Sequence, residues 1–259
     1  MLEVSFDAVL FIVAMAFVAG GVDAIAGGGG LLTIPALMAA GVPPVAALAT
    51  NKLQSTIGTA SAFLRFHRAG HVDLRAFAVA AAAAFGGSVA GATAVQFVDT
   101  AFLALVVPVL LIAMGLYFLL APPMSEVDRQ ALLGRAGLTA VAGCIGFYDG
   151  FFGPGTGSFL TTALVALGGL GLVRAIANTK FLNLSTNLAG LIAMMAGGKV
   201  LWALGLTMAV ANVLGNQLGA WIALRYGGKG ARLLLVIMSF ALTAKLLADP
   251  ANPVRALFG

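Results

Sequence analysis

Apolar residues run almost without interruption along this chain, and the few polar positions divide it into eight long stretches. These stretches cover residues 5–41, 43–64, 76–98, 101–121, 132–168, 171–196, 200–224 and 231–248. Most of them reach the roughly 20 residues that a helix needs to cross a bilayer. The strict alternation of a barrel strand is absent, and helices satisfy their own backbone hydrogen bonds in hydrocarbon. The pattern therefore predicts an all-helical, polytopic membrane protein.

The first and fifth stretches are longer than one span, and glycines interrupt each of them within a related sequence. Residues 20–35 read GGVDAIAGGGGLLTIP and residues 146–161 read GFYDGFFGPGTGSFLT, which aligns Asp23 with Asp149. The match continues along the chain at 49–52 and 177–180, 70–72 and 198–200, Gly87–Gly91 and Gly215–Gly219, and 121–122 and 249–250. We therefore expect two homologous halves, residues 1–122 and 135–259, joined by a cytoplasmic linker at 123–134.

Each half is expected to hold one glycine-broken hairpin and three transmembrane helices. The hairpin arms are predicted at 5–26 and 30–41 in the first half, and at 132–152 and 156–168 in the second. If each hairpin enters and leaves the membrane on one side, the three spans that follow it invert the second half relative to the first.

Basic residues give a separate indication of this orientation. Loop 65–75 contains three arginines and two histidines, which predicts a cytoplasmic location. The corresponding loop of the second half has only Lys199, and the next pair of loops reverses the bias, with Asp99 in the first half and Arg225, Lys229 and Arg232 in the second. This reversal favours inverted repeats, whereas a parallel repeat of four spans per half stays open as the alternative.

Composition argues against a water-soluble globule. The chain has 61% hydrophobic and 9% charged residues and a mean hydropathy of +1.06, so lipid is its expected solvent. Its net charge of +5 comes mainly from membrane-flanking loops, and without a basic run interleaved with aromatics we expect no nucleic-acid partner. No phosphate-binding loop or catalytic motif is present, so we expect neither an enzyme nor a cofactor. His67 and His71 lack a third metal ligand.

The glycine-rich interruptions are the first candidate site. Irregular backbone at membrane depth is tolerated only where protein or a water-filled cavity surrounds it. A glycine run leaves the first N–H groups of the following helix uncovered, and these groups can bind an anion together with the positive end of the helix dipole. The candidates are Gly28, Gly29 and Gly30 in the first half and Gly155, Thr156, Gly157 and Ser158 in the second. Close helix packing is the alternative role of these glycines.

One aspartate precedes each interruption and lies deep within an apolar run. Asp23 and Asp149 occupy equivalent positions, and a carboxylate there costs roughly 3 kcal/mol unless it is paired or protonated. Two interpretations stay open, a proton-coupling group or a structural cap that accepts hydrogen bonds from N–H groups of the tip. Because an Asp just before a glycine turn is a common local arrangement, the cap is favoured.

A lysine near the start of the next helix is the third repeated feature. Lys52 and Lys180 occupy matching positions, and lysines with amide and hydroxyl neighbours suit a small oxyanion that is held weakly enough to leave. Snorkelling to the nearest interface is the alternative. The neighbours expected to orient the anion are Asn51, Gln54, Ser55, Thr179 and Asn183. Further polar residues that either line the same cavity or join helices are Gln96, Asn212, Asn216 and Gln217.

The sequence DAIAGGGGLLTIPALMAAGVPP at residues 23–44, followed by ALATNKLQS at 47–55, resembles the TauE/SafE sulfite exporter family, also called TSUP, and is most similar to its bacterial inner-membrane branch. The resemblance extends over about residues 8–248. It implies a multi-pass protein of the bacterial inner membrane that transports small sulfur-containing anions such as sulfite or sulfonates. Pro154 and Thr156 replace glycines in the second copy, so the two hairpins need not contribute equally.

These features together predict a secondary carrier that exports a small sulfur oxyanion by alternating access, with the proton gradient as candidate driver. Lys52, Lys180 and the two tips would hold the anion, and Asp23 or Asp149 would couple protons. A channel-like uniporter for another small anion is the alternative, and the short loops do not favour a third interpretation, a membrane scaffold. Besides the anion and the lipid bilayer, a second copy of the chain stays open as a partner, because the Gly-x-x-x-Gly patterns fit packing within one chain or in a homo-oligomer.

Overall fold

A computed structural model of the protein describes residues 6–120 and 126–226, and within these ranges it contains helices and turns but no strand. The all-helical prediction is therefore confirmed for this part of the chain. The predicted span at 231–248, the basic residues Lys229 and Arg232, and the repeat match between 121–122 and 249–250 lie outside the described residues.

The order of helices repeats between the two halves. The first half contains α1 (Phe6–Ala26), α2 (Gly30–Ala39), α3 (Pro44–Arg68), α4 (Leu74–Ala94) and α5 (Thr100–Leu120), with a 3-10 turn at Val95–Phe97. The second half repeats the first four as α6 (Arg135–Phe151), α7 (Thr156–Ala166), α8 (Leu172–Ala196) and α9 (Trp202–Tyr226). The arms of both hairpins end within a few residues of the predicted positions.

Three of the described helical segments are long and apolar enough to cross a membrane, namely Phe6–Ala26, Leu74–Phe97 and Thr100–Tyr117. Helices α3, α8 and α9 have 25 residues each, which is the length of a span, but polar side chains interrupt each of them. Many of these polar side chains are buried inside the protein instead of facing lipid, which is where a bilayer tolerates them.

Glycine conformation breaks each long apolar stretch into a hairpin. Gly27 has φ +76° at the end of α1, and Gly153 and Gly155 have φ +96° and +84° between α6 and α7. A side chain is strained in this left-handed region, so glycine is the residue that turns the chain here. The two short helices α2 and α7 then return toward the side from which α1 and α6 came.

Each hairpin packs on the other half of the chain. Helix α1 lies against α9, and α6 lies against α4. A Cβ on Gly215 would meet the backbone of Phe17 and Gly21, and a Cβ on Gly87 would meet the backbone of Gly143. The Gly-x-x-x-Gly patterns therefore form close helix contacts within the described chain, the role that small residues have in membrane helix packing.

Helices α3 and α8 run in opposite directions through the centre. The Leu201 N–H, just after α8, donates to Thr50 near the start of α3 at 3.2 Å. The Asp73 N–H, just after α3, donates to Asn178 near the start of α8 at 2.9 Å. The described part of the linker, from residue 126 onward, lies on this second side, because the Arg129 N–H donates to the Gly169 carbonyl at 2.7 Å.

Candidate functional site

The two glycine-rich tips meet in the interior of the protein. The Ser158 N–H donates to the Gly27 carbonyl at 3.2 Å, and the Ser158 hydroxyl donates to the Ala26 carbonyl. Gly157 lies so close to Gly27 that neither has room for a Cβ. Because α2 and α7 both begin here, their N-terminal ends lie beside each other.

Lys52 of α3 forms an ion pair with Asp149 of α6. Its Nζ lies 2.7 Å from Asp149 Oδ2, and both side chains are 2% exposed. The contact does not meet hydrogen-bond geometry, so it is best described as an electrostatic pair. The same Nζ donates to Asn187 Oδ1 of α8 at 3.4 Å. A lysine of the first half is thus held by the hairpin and a central helix of the second.

Lys180 of α8 forms the equivalent pair with Asp23 of α1. Its Nζ lies 2.9 Å from Asp23 Oδ2 and also donates to the Asp23 carbonyl. Asp23 Oδ1 accepts a hydrogen bond from the Gly29 N–H at 3.3 Å, and this carboxylate is 15% exposed. Asp23 thus accepts a hydrogen bond from its own tip as well as from Lys180, whereas Asp149 has Lys52 as its charge partner.

Both pairs connect the two halves of the chain. Neither lysine snorkels, since Lys52 and Lys180 are 2% and 1% exposed. Two opposite charges that lie within hydrogen-bond distance offset part of the cost of their burial, and removing one partner leaves an uncompensated charge. The site is therefore electrically neutral as it stands, with each lysine occupied by a carboxylate.

A polar layer lies between the two lysines, where α3 and α8 face each other. Lys52 of α3 contacts Asn187 of α8, and the antiparallel course of the two helices places Ser55 and Asn183 along them between the two lysines. Asn183 Oδ1 accepts hydrogen bonds from the Thr186 hydroxyl at 3.4 Å and from Asn187 Nδ2 at 3.1 Å. With its oxygen used in this way, the Asn183 amide nitrogen is the group that can donate to a ligand.

Asn51 fastens α2 to α3 instead of facing Lys52. Its Oδ1 accepts hydrogen bonds from the Thr33 hydroxyl at 2.5 Å, from Gln54 Nε2 at 2.9 Å and from Ser55 at 3.5 Å. Gln54 lies about 200° around the helix from Lys52, on the opposite face. Its Oε1 is buried without a partner among the described residues, and an unpaired buried acceptor costs about 1–3 kcal/mol.

The remaining candidates have contacts within their own tips or between helices. Thr179 receives a hydrogen bond from the Thr161 hydroxyl at 3.1 Å, and the Thr156 hydroxyl donates to the Gly153 carbonyl at 2.7 Å. Gly28, Gly29, Gly155 and Gly157 are buried in the two tips, and Gly30 is half-buried. The sequence-predicted residues that the structure gathers between the lysines are therefore Ser55 and Asn183.

The other polar side chains join helices. Asn212 Nδ2 donates to the Ala16 carbonyl at 3.0 Å, and Gln217 Nε2 donates to the Ser61 carbonyl at 2.8 Å. Gln96 Nε2 donates to the Ala193 carbonyl at 3.2 Å. These contacts fit the helix-joining role of polar residues in membranes. No cluster of three metal-ligating side chains occurs in the described part of the chain.

Two residues of the site, Ser88 and Tyr148, were not identified from the sequence, whereas Asn187 lies on the polar helix face that follows Lys180. Asn187 contacts Lys52, and the Ser88 hydroxyl donates to the Thr186 carbonyl at 2.7 Å beside it. The Tyr148 hydroxyl donates to the Pro154 carbonyl at 2.6 Å and so fixes the second tip. Asn187 had a signal, because it lies two turns after Lys180 on a polar helix face, but its partner lies in the other half. Ser88 and Tyr148 had no periodic signal.

Comparisons with known proteins agree over nearly the whole chain. Residues 12–246 match the family model described as sulfite exporter TauE/SafE. The probable membrane transporter protein YfcA of Escherichia coli strain K12 is 49% identical over 242 residues, which is 93% of this chain and 89% of that protein. The probable membrane transporter protein ORF9 of Sinorhizobium sp is 44% identical over 260 residues, covering 100% of both chains. A probable membrane transporter protein of Haemophilus influenzae is 42% identical over 250 residues, 96% of this chain and 98% of that protein. No solved structure matches the chain at a significant level.

Proposed function

The chain belongs to the sulfite exporter TauE/SafE family, and from that premise we propose that it is a secondary carrier that exports small sulfur-containing anions such as sulfite or organosulfonates. Its location in this proposal is the bacterial inner membrane, which it crosses several times. The observation that carries the proposal is the pair of buried lysines, Lys52 and Lys180, each bound to a carboxylate of the opposite hairpin.

A buried lysine that already has a carboxylate partner suits a carrier of anions. The carboxylate stabilises the ammonium group while the carrier is empty, and an anionic substrate can take its place at the same Nζ. A permanent, unpaired cation would bind the anion too tightly or destabilise the fold. Competition with the aspartate keeps the affinity low enough for release, which transport requires.

The polar layer between the lysines offers additional donors. Ser55 and Asn183 lie on the facing helices α3 and α8, each about one helical turn after its lysine, Lys52 or Lys180. The beginnings of α2 and α7 add the positive ends of two helix dipoles. We assign the anion to this position, with Lys52 and Lys180 as its charge partners, Ser55 and Asn183 as orienting groups, and the tips as the wall.

In this proposal the two halves of the chain have opposite orientations in the membrane, which allows the site to open to one side and then to the other. The opposite directions of α3 and α8, and the exchange of hairpins between the halves, support inverted repeats related by an axis in the membrane plane. Lys52 lies nearer one membrane face and Lys180 nearer the other, so movement of the two halves about the bound anion would expose the site to one side at a time. Basic loop 65–75 and the linker, which lie on the same side, mark the cytoplasmic face.

Proton coupling completes the proposal. Binding an anion to a neutral pair adds one negative charge to a site of low dielectric constant, and taking up a proton restores neutrality. Asp23 and Asp149 are the carboxylates that can receive it. Because the proton and the anion move together, the transfer carries no net charge, and export runs when the outward anion gradient exceeds the inward proton gradient of the bacterial inner membrane.

Counterflow in proteoliposomes tests this function. Vesicles loaded with sulfite, sulfoacetate, thiosulfate, sulfate or lactate are diluted into a labelled trace of the same anion, with and without a pH gradient. We expect saturable exchange that is limited to sulfur oxyanions and that the pH gradient drives into net transport. Flux without exchange would indicate the channel-like uniporter, and absence of flux for every anion would contradict transport of this substrate class.

A further inference from the structure

The two ion pairs look equivalent in the sequence but differ in the structure. Asp149 is 2% exposed, and Lys52 is its charge partner, whereas Asp23 is 15% exposed and also accepts a hydrogen bond from the Gly29 N–H. Lys180 is further tied to the Asp23 carbonyl. Hydrogen bonds and solvent both favour the ionised form of a carboxyl group. Asp23 therefore retains support for its charge when its lysine is withdrawn, and Asp149 does not.

The residues of the tips explain this difference. In the first tip Gly29 has φ −53° and directs its N–H at Asp23. In the second tip its counterpart Gly155 follows Pro154 and has φ +84°, and Asp149 Oδ2 has no hydrogen-bond donor among the described residues. The left-handed turn at Gly155, in place of the helical conformation of Gly29, thus leaves Asp149 dependent on Lys52.

In the part of the chain that the structure describes, Lys52 is the charged side chain that pairs with Asp149. Among the described residues, α3 presents Lys52, and the helix of Asp149 itself presents Tyr148, whose hydroxyl is bonded to the tip. Helices α4 and α8 present the neutral Ser88 and Asn187 beside Lys52. When Lys52 pairs with a substrate anion instead, the ionised Asp149 is left buried and unpaired. This state has the highest free-energy cost for a carboxylate.

We propose that Asp149 is the carboxyl group that takes up the coupled proton, one for each anion bound at Lys52, while Asp23 stays ionised as the fixed partner of Lys180. The charge balance is complete in this step. Before binding, Lys52 is positive and Asp149 negative; after binding, Lys52 is positive, the anion negative and Asp149 neutral. One proton and one singly charged anion enter the site together. This inference rests on the carrier function proposed above.

Proton uptake on anion binding tests the assignment directly. The purified full chain in detergent and weak buffer is mixed with 2-hydroxyethanesulfonate, which does not titrate near neutral pH, and an indicator dye reports the proton count. If counterflow shows that sulfite alone is carried, the same count is taken in sulfite solution against a protein-free control. We expect about one proton for each bound anion in the wild type, no proton in Asp149→Asn, and about one in the matched variant Asp23→Asn.

The outcomes separate this inference from the carrier function. Anion binding without proton uptake by the wild type would overturn the inference while counterflow still supports the carrier. If Asp23→Asn loses proton uptake and Asp149→Asn retains it, Asp23 is the proton acceptor instead of Asp149. If Asp149→Asn fails to fold, the wild type and Asp23→Asn decide, because uptake that survives without Asp23 leaves Asp149 as the acceptor. Absence of counterflow for every anion would instead contradict the proposed function.

Discussion

Replacing Lys52 with methionine isolates the cost of leaving Asp149 without its counter-charge. Methionine keeps the length and most of the volume of the lysine stem, so the packing of α3 changes little. Both members of the pair are 2% exposed, which places this case among fully buried ion pairs. Removing one partner of such a pair destabilises a protein by about 3–5 kcal/mol. We expect a loss of that size in Lys52→Met.

A double substitution distinguishes lost pairing from lost packing. In Lys52→Met with Asp149→Leu, both charges are replaced by apolar groups of similar volume, a change that is often neutral or stabilising by about 1–4 kcal/mol. We expect the double variant to recover most of the stability lost in the single one, yet to lose anion binding. Lys199→Met is the control, because this exposed lysine has surroundings in which substitutions stay within about 0.5 kcal/mol.

Denaturant unfolding in mixed micelles measures these free energies, and counterflow measures the transport of each variant. The reasoning would be refuted if Lys52→Met were as stable as Lys199→Met, or if the double variant were no more stable than Lys52→Met. If the double variant still exchanges the anion, Lys52 does not bind the anion, whatever the effect of the substitutions on stability.

Three further predictions concern the tips, the α3–α8 contact and the linker. Gly157→Ala places a Cβ against the Gly27 backbone, so we expect a loss of about 1–3 kcal/mol in the same unfolding assay, whereas Gly86→Ala, which has open space, should have no comparable effect. Gly190→Ala brings a Cβ within 3.0 Å of Lys52 Cε; we expect it to displace the lysine and lower the affinity for the anion, and unchanged affinity would contradict this. The Gly171 N–H and Arg174 lower the pKa of Asp128 below its ordinary value of 3.8. The contacts of Asp128 with Gly171 and Arg174 therefore stabilise the linker fully above pH 3.8, and this stabilisation is lost as the pH falls through the lower pKa of the folded state. Hydrogen exchange at the Gly171 amide should accelerate in Asp128→Asn at neutral pH, and exchange as slow as in the wild type would contradict the role of this contact.

The hairpins and helices were readable from the sequence because each has a local cause. Glycine runs cannot continue a membrane helix at low cost, so the break between α1 and α2 falls within the glycines that follow Ala26. Apolar length then fixes the spans. The sequence did not predict that each hairpin packs on a helix of the other half. That packing depends on which glycine-containing helix faces contact each other, and the helices of Gly87 and Gly215 carry the same Gly-x-x-x-Gly pattern. Sequence alone left packing within one chain and packing between chains equally consistent with that pattern.

The site was predictable in its residue types and not in its pairing. Repetition identified Lys52, Lys180, Asp23 and Asp149 as unusual charges at membrane depth, and burial made some compensation necessary. That each lysine meets the aspartate of the other half is a consequence of tertiary structure. The helical position of Gln54 did contain a signal, because two residues along a helix turn the side chain about 200° away from Lys52. A polar residue near a charged one in sequence is therefore poor evidence of a shared site.

Unequal tips give a duplicated carrier a means of using two similar ion pairs for different purposes. If both aspartates were held as loosely as Asp149, each lysine would compete for the anion and two protons would be available. If both were held as firmly as Asp23, which has the Gly29 N–H and Lys180 as partners, neither lysine would be released. The left-handed Gly155 after Pro154 loosens one side alone. Restoring the glycine in Pro154→Gly should then let Gly155 adopt the conformation of Gly29, whose N–H reaches its aspartate, and weaken proton-driven transport more than exchange. Equal effects on both rates would show that the tip does not set the difference.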